Sequence, residues 1–347
     1  MKYKRYTLKE LATIKYGKNQ AKVVTTEKKY PIYGTGGLMG YATQFLYDKP
    51  SVLIGRKGTI DKIRYVEHPF WTVDTLFYTE INTDLVIPEY FYYALSLVDL
   101  AKHNEGTTIP SLRTDTLNKI EFDIPDIEDQ RRIIGILRPI SDKIALNEKI
   151  NNNLEQQAFA LFDSLFPRTI DGSQTIGDYI IPKRGRNLLS KDAVYGTVPV
   201  VAGGLEPSTY HNVANTKAPV LTISASGANA GFVNLWLNSV WSSDSSYIDY
   251  SMTPNVFFWY ILLKGRQKEI FDAQTGSAQP HIYPQHIAAM PVGDLNQELV
   301  FQFTTQVAPL FELIGANKDE NERLRNIRDA LLPRLMSGEI DVSDICI

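Results

Sequence analysis

The feature that most limits what this chain can become is that it repeats itself. Displaced by about 170 residues, its second half returns the landmarks of the first half in the same order. Pro31 with Gly36-Gly37 matches Pro199 with Gly203-Gly204, Gly58 matches Gly227, and Trp71 with Asp74 matches Trp241 with Asp244. Gly106-Thr107-Thr108-Ile109-Pro110-Ser111-Leu112 lies over Gly276-Ser277-Ala278-Gln279-Pro280-His281-Ile282. Farther on, Pro139 lies over Pro309, and Asn147 and Asn151 over Asn317 and Asn321. Single glycine or proline matches arise by chance, whereas an ordered series at one displacement reads as duplication. The same supersecondary plan must therefore be built twice.

Each repeat changes texture partway along. Its first part carries short apolar runs bounded by turn residues, such as Ser51-Val52-Leu53-Ile54 and Pro219-Val220-Leu221-Thr222-Ile223, which read as strands. Tyr90–Leu95 and Phe257–Leu262, following Pro88 and Pro254, read as short helices. The expectation is an α+β globule of roughly 125 residues in each repeat, large enough for its own core. From Gln130 to Phe166, and again from Gln297 to Met336, turn signals fade. The expected domains are 1–127, a central helix over 128–168, a second globule over 169–293, and a C-terminal helix with its tail over 294–347.

The period of those two stretches is readable. Ile133, Leu137, Ile140, Ile144, Asn147, Asn151, Leu154, Ala158, Leu161 and Leu165 step by alternating fours and threes. The same positions recur as Phe303, Val307, Leu310, Ile314, Asn317, Asn321, Leu324, Arg328, Leu331 and Leu335. A sustained 3.5-residue repeat is a coiled-coil seam; the plainer alternative is two amphipathic helices, each packed on its own globule. Pro139 and Pro309 would either kink these helices or mark their true first turns. Asparagine inside an apolar seam costs stability and fixes register. An antiparallel pairing, preferred here over a parallel one, sets Asn147 against Asn321 and Asn151 against Asn317.

Composition narrows the function classes. With 44% hydrophobic and 22% charged residues and no apolar run of about 18, neither disorder nor a membrane span is expected. Met1–Tyr6 has charge but no apolar stretch behind it, so no secretory signal is expected. The single cysteine, Cys346, argues against a disulfide framework or a cysteine zinc site, and the expected location is the cytoplasm. A formal net charge of −3 argues at face value against nucleic acid. Its distribution reverses that: residues 1–122 carry +4, residues 170–293 carry 0, and the long helices and tail carry the remaining −7. Two similar globules on a stiff spacer of about 50 Å would suit two readings on DNA separated by about 15 base pairs.

At this point three segments resemble the specificity subunits of type I restriction–modification systems. Gly276-Ser277-Ala278-Gln279-Pro280-His281-Ile282 is similar to that family's Gly-Ser-x-Gln-Pro-His motif. Ile124-Pro125-Asp126-Ile127-Glu128-Asp129-Gln130-Arg131-Arg132-Ile133 resembles the lead-in to its first spacer helix. Leu331-Leu332-Pro333-Arg334-Leu335-Met336-Ser337-Gly338-Glu339-Ile340 resembles its C-terminal tail. The first repeat departs from the motif at Ile109-Pro110-Ser111-Leu112, and the second lead-in, Pro291–Gln297, is degenerate.

The resemblance implies a non-catalytic chain whose two target-recognition domains each read half of a bipartite, asymmetric site on double-stranded DNA. It implies spacer helices that bind two methyltransferase subunits acting on adenine N6, and two further subunits for restriction and ATP-driven translocation. S-adenosylmethionine, ATP and magnesium would belong to those partners, with no cofactor in this chain and no membrane partner. The residues agree. There is no Asn/Asp-Pro-Pro-aromatic tetrapeptide and no Gly-x-x-x-x-Gly-Lys-Ser/Thr loop, and Gly34–Gly40 has the wrong spacing for a dinucleotide fingerprint. That glycine-rich stretch reads instead as a tight turn between strands. The five histidines lack helical metal-ligand spacing.

Candidate DNA contacts divide into charged groups for phosphate and side chains for base edges. Gly55-Arg56-Lys57-Gly58-Thr59 is a charged turn leaving an apolar strand, and Arg56, Lys57 and Thr59 are its candidates. Its counterpart supplies Ser224, Ser226 and Asn229; the plain alternative for both is a solvated hairpin turn. Lys15, Lys18 and Lys22, with Lys183, Arg184 and Arg186, are phosphate candidates or an ordinary wet surface. Thr107, Thr108 and Arg113, with Ser277, Gln279 and His281, follow glycine turns and are DNA-facing or structural. Arg131 and Arg132 open a helix whose dipole they oppose, so a partner or a phosphate is expected to offset them. Three other readings stand beside this one. They are a related type IIB-like specificity subunit, a self-sufficient metal-dependent nuclease using Asp74, Asp244 and Glu80, and a surface- or polysaccharide-binding repeat protein.

Overall fold

The computed structural model of the chain describes residues 1–167, 169, 172–276 and 279–345, and Ser277 and Cys346 lie outside them. It divides into two compact units, residues 1–144 with 322–347, and residues 145–321. Each is α+β.

In the first unit, Tyr3–Thr7 pairs antiparallel with Glu121–Pro125. A four-stranded sheet runs in the order Ala12–Tyr16, Leu76–Ile81, Ser51–Gly55, Ile63–Val66. Ser51–Gly55 is buried at every position, which is why Val52-Leu53-Ile54 runs apolar without alternation, while the buried Ser51 hydroxyl donates to Thr79 O at 2.8 Å. A second sheet runs Val24–Thr25, Gly37–Ala42, Tyr30–Gly34, Trp71–Thr72, the last pair parallel. Thr35-Gly36 closes the hairpin between Tyr30–Gly34 and Gly37–Ala42, so the glycine-rich stretch is a turn, with Gly37 at φ +118°. Helix Pro88–Ser96 begins on a proline whose missing N–H costs nothing there, and it buries Tyr90, Phe91, Tyr93, Ala94 and Leu95.

The second unit repeats this plan with one strand fewer in its smaller sheet. Gln174–Thr175 pairs with Pro291–Val292. The four-stranded sheet is Lys183–Arg184, Ser245–Asp249, Val220–Ser224, Val233–Trp236. A three-stranded sheet follows as Thr209–His211, Val198–Val201, Trp241–Ser242, again with the tryptophan strand parallel. Even small devices recur. Thr7 with Glu10, and Thr175 with Asp178, form capping boxes in which backbone and hydroxyl donors hold each carboxyl below its ordinary range. Val24–Thr25 and helix Gln267–Asp272 have no counterpart among the described residues.

Two long helices, Ile127–Leu165 and Gln297–Met336, contribute to both units. Their 39 and 40 residues correspond to about 60 Å each. Pro139 and Pro309 lie inside them, so neither marks a first turn; each removes one backbone hydrogen bond from an otherwise continuous ladder. Every seam position from Ile133 to Leu165 and from Phe303 to Leu335 is buried or half-buried. In the second unit Asn147 Nδ2 donates to Asn321 Oδ1 at 2.8 Å, and Asn317 Nδ2 to Asn151 Oδ1 at 2.8 Å. As one index rises by four the other falls by four, so the helices are antiparallel.

The helices also complete the globules' cores. In the first unit, Ile133 and Leu137 from one helix join Leu332, Leu335 and Met336 from the other, with Val342 from the tail, in the same cluster as Val52, Tyr90 and Phe91. In the second, Ala158 and Phe162 join Phe303, Val307, Phe311 and Ile314 against helix Val256–Gly265, where Phe257 stacks on Phe311 with centroids 4.7 Å apart. By length and hydropathy alone, Gln297–Met336 is the one described helix that could cross a membrane, its best window averaging 1.2. Its Val300, Phe303, Val307 and Phe311 are packed in this core.

The start of the first long helix is tied down by Gln130, fully buried, whose side chain bonds Ile87 N, Leu85 O and Pro125 O at 2.8–3.0 Å. Buried Glu89 accepts from Arg138 Nε at 2.6 Å, and that bond holds the guanidinium above its ordinary value. Arg131 and Arg132 need no outside anion, contrary to expectation. Arg131 pairs with Glu128 at 3.2 Å and Arg132 with Asp129 at 2.8 Å, carboxylates of the same first turn.

Two outcomes follow. Replacing Asn147, Asn151, Asn317 and Asn321 together by Leu is expected to leave or raise the melting temperature while loosening the helix register, read by cysteine cross-linking; a collapse in stability contradicts the register role. Deleting residues 322–347 strips four buried apolar side chains from the first unit, each worth about 1.5–3 kcal/mol. That sum rivals a domain's whole stability of about 5–15 kcal/mol. The first unit should then lose its protease resistance, and retention of a full-strength core would contradict the shared-core packing.

Candidate nucleic-acid interface

Most of the candidate residues, with Lys22, Lys183 and Ser224 as exceptions, lie where three segments of each unit meet. The first segment is the end of the leading strand. Gly17 N donates to Leu76 O at 3.0 Å and Lys18 N to Thr72 O at 2.8 Å; Gly185 N donates to Ser245 O at 2.8 Å and Arg186 N to Ser242 O at 2.9 Å. A Cβ on Gly17 would stand 2.0 Å from Val73 O, and one on Gly185 2.5 Å from Ser243 O. Only glycine allows this approach. Trp71 Nε1 then donates to Lys18 O at 2.9 Å, and Trp241 Nε1 to Arg186 O at 2.8 Å. The recurrent tryptophans therefore pin the backbone of a basic residue in each unit.

The second segment is the turn after the central strand. Arg56 N donates to Thr75 O, and Ala225 N donates to Asp244 O, at 2.9 and 3.1 Å. Gly58 and Gly227 take φ +84° and +81°, left-handed values that make glycine the default residue. The third segment is the repeated glycine motif, knitted to that turn. Gly58 N donates to Pro110 O and Leu112 N to Arg56 O; Gly227 N donates to Pro280 O and Ile282 N to Ala225 O, all at 2.9–3.1 Å. The motif's backbone thus fixes the turn's geometry in both units.

These contacts correct one sequence match. Asp244 O accepts from the turn where Thr75 O does, so Asp244 stands in the place of Thr75 and the recurrence after tryptophan is not a shared aspartate site. The Asp244 carboxylate is held by Arg184 at 2.5 Å and by the Ser226 hydroxyl. Asp74 is exposed, and Glu80 pairs with Lys15 at 3.4 Å. Among the described residues no three His, Cys, Asp or Glu side chains are grouped to hold a metal ion.

On this common backbone the two units carry different side chains. In the first, the Arg56 guanidinium lies 5.0 Å from the centroid of the Tyr16 ring and donates Nη1 to Asp74 O at 2.9 Å. Lys18 and Lys57 are exposed and Thr59 is half-buried. Arg113 is exposed and pairs with Glu105 at 3.1 Å. Thr107, Thr108 and Lys22 are exposed, with Lys22 away from these segments in sequence.

In the second unit Arg184, Arg186 and Gln279 are exposed, and Ser226, Asn229 and His281 are half-buried; His281 stacks on Tyr283. Strand alternation puts Lys183 on the opposite face from Arg184. Ser224 departs from its expected role: it is 4% exposed with a buried, unpartnered hydroxyl, and it cannot meet a ligand at the surface.

Sequence reading missed Tyr16, Gly17 and Gly185. The available signal was the pair Tyr16-Gly17-Lys18 and Arg184-Gly185-Arg186, a glycine followed by a cation in both copies.

Comparison with known proteins agrees with this duplicated plan. Residues 1–156 match the family model described as type I restriction modification DNA specificity domain. The chain is 24% identical to the type I restriction enzyme MjaIX specificity subunit of Methanocaldococcus jannaschii, over 86% of this chain and 80% of that one. It is 23% identical to a putative type I specificity subunit of Mycoplasma pneumoniae, over 95% and 94%. The type I restriction–modification S subunit from M. genitalium superposes with a TM-score of 0.57 at 21% identity, covering 96% of both chains, which shows a shared fold. Residues 1–156 are thus similar to the type I restriction modification DNA specificity domain, and the chain over most of its length is similar to type I restriction enzyme specificity subunits.

Proposed function

We propose that each unit reads one half of a bipartite, asymmetric site on double-stranded DNA, through the three-segment junction just described. The observation that carries this reading is one backbone scaffold built twice, hydrogen bond for hydrogen bond, with different polar side chains on each copy. A scaffold serving stability alone would give no reason for Arg56 and Lys57 in one copy to be Ala225 and Ser226 in the other. Two non-identical readers suit two non-identical half-sites. Exposed Lys18, Lys57 and Arg186 beside the junction suit phosphate contacts, which position a protein without reading sequence.

In this reading the chain is non-catalytic and holds no cofactor. It brings two methyltransferase subunits, acting on adenine N6, and two restriction and translocation subunits to the site. S-adenosylmethionine, ATP and magnesium are bound by those partners, in the cytoplasm. A net charge of −3, with +4 on the first globule and 0 on the second, suggests that DNA is held weakly by this chain alone and firmly only in the assembly.

The test is methylome sequencing of a host with and without this gene. A split motif with methylated adenine in each half should be present with the gene and absent without it. An unchanged set of methylated motifs would refute the reading.

A further inference from the structure

We propose that each unit presents one anchored guanidinium, Arg56 in the first and Arg184 in the second, at the same place in the fold from non-equivalent chain positions. We further infer that each reads a guanine in its own half-site. This inference deepens the reading given above and rests on it.

Backbone pairing establishes the positions. Tyr16 pairs with Phe77 just before Gly17 bonds Leu76, and Arg184 pairs with Ser246 just before Gly185 bonds Ser245. Tyr16 and Arg184 are therefore equivalent. Arg56 and Ala225 are equivalent by their matching bonds to Thr75 O and Asp244 O. The arginine thus comes from the turn in one unit and from the strand in the other. Both guanidiniums fall in the gap between these segments. Arg56 leans from the turn across the Tyr16 ring, at 5.0 Å, towards the strand. Arg184 leans from the strand to Asp244, beside the turn, at 2.5 Å. Exchanging which segment supplies the cation has left its location unchanged, which is what a shared ligand position would require.

Anchoring within the gap between strand and turn separates these two from the exposed Lys18, Lys57 and Arg186 beside it. Arg56 is fixed by a ring face and a carbonyl, and Arg184 by a carboxylate that Ser226 holds from its other oxygen. Each spends one N–H on its anchor. The guanidinium is a planar fork of five donors, so an edge remains for two acceptors side by side. In the major groove, guanine O6 and N7 offer that pair, and arginine to guanine is the commonest specific contact. A fixed fork discriminates geometry; the exposed, flexible Lys18 and Lys57 present charge without fixed direction. Asp244 is then a positioning residue for Arg184, and Tyr16 for Arg56.

The test uses the full chain assembled with its methyltransferase subunits, on duplexes carrying the methylated motif and each single-base change of it. Absence of any motif in the parent strain refutes the underlying reading, not this one. Given a motif, Arg56→Lys and Arg56→Ala should erase discrimination at one G·C pair in one half-site, a loss of about 5- to 150-fold. Arg184→Lys and Arg184→Ala should do the same at one G·C pair in the other half. Asp244→Asn should reduce discrimination at the Arg184 position only. Lys57→Ala should weaken binding to all duplexes alike and lower the salt dependence. Uniform weakening by the arginine variants, discrimination left intact, or both arginines mapping to one half-site would overturn the proposal. Thermal melting of each variant identifies a fold defect, and the lysine variants, which retain charge and bulk, then decide.

Discussion

The antiparallel pairing of the two long helices is the interaction on which the rest of the structure depends. Because one helix leads out of the first globule and the other returns after the second, each compact unit is closed by segments distant in sequence. Residues 331–342 complete a core begun by residues 8–137, and residues 297–314 complete one that includes residues 158–162. Neither globule is a self-contained bead. The buried asparagine pairs serve this closure: an apolar seam with a 3.5-residue repeat would tolerate a slip by a heptad, and a slip would leave buried amides unpartnered. Register along the seam therefore decides which apolar side chains reach each globule.

On that frame, duplication has kept bonds and released side chains. The bonds that the two junctions share are backbone to backbone, apart from those of the two tryptophan indoles to their carbonyl acceptors. Backbone bonds make few demands on side chains beyond glycine where chains approach closely. Gly17, Gly58, Gly185 and Gly227 are accordingly present, while the positions between them differ freely. This is how a fold can hold its geometry while the chemistry at one point on it varies, and a pair of domains reading different sequences would need both properties.

Much of this was legible in the sequence, for identifiable reasons. Long-period features survive without tertiary information: the 170-residue displacement, the seam and its asparagines, the apolar strands and the short aromatic helices all depend on local spacing. Three readings fail for equally physical reasons. Asp74 and Asp244 match by count from the tryptophan, but the following loop is one residue shorter in the second unit, so the hydrogen-bond partner is Thr75. Ser224 continues a polar-looking run, yet strand pairing buries it between Ser245 and its neighbours. Arg131 and Arg132 were read against the helix dipole alone, whereas Glu128 and Asp129 lie one turn away on the same helix. The anchoring of Arg56 on Tyr16 joins residues forty apart and leaves no trace in spacing.

The central proposal is that the junction of each unit contacts its own half-site on DNA. Hydrogen–deuterium exchange on the assembled complex, with and without a duplex carrying its motif, tests it most directly. Protection should appear at residues 16–18, 55–59 and 106–113, and at 184–186, 224–229 and 279–282, in both units at once. Protection confined to one unit, or lying on the strands at the opposite side of each sheet from Arg56 and Arg184, would contradict it.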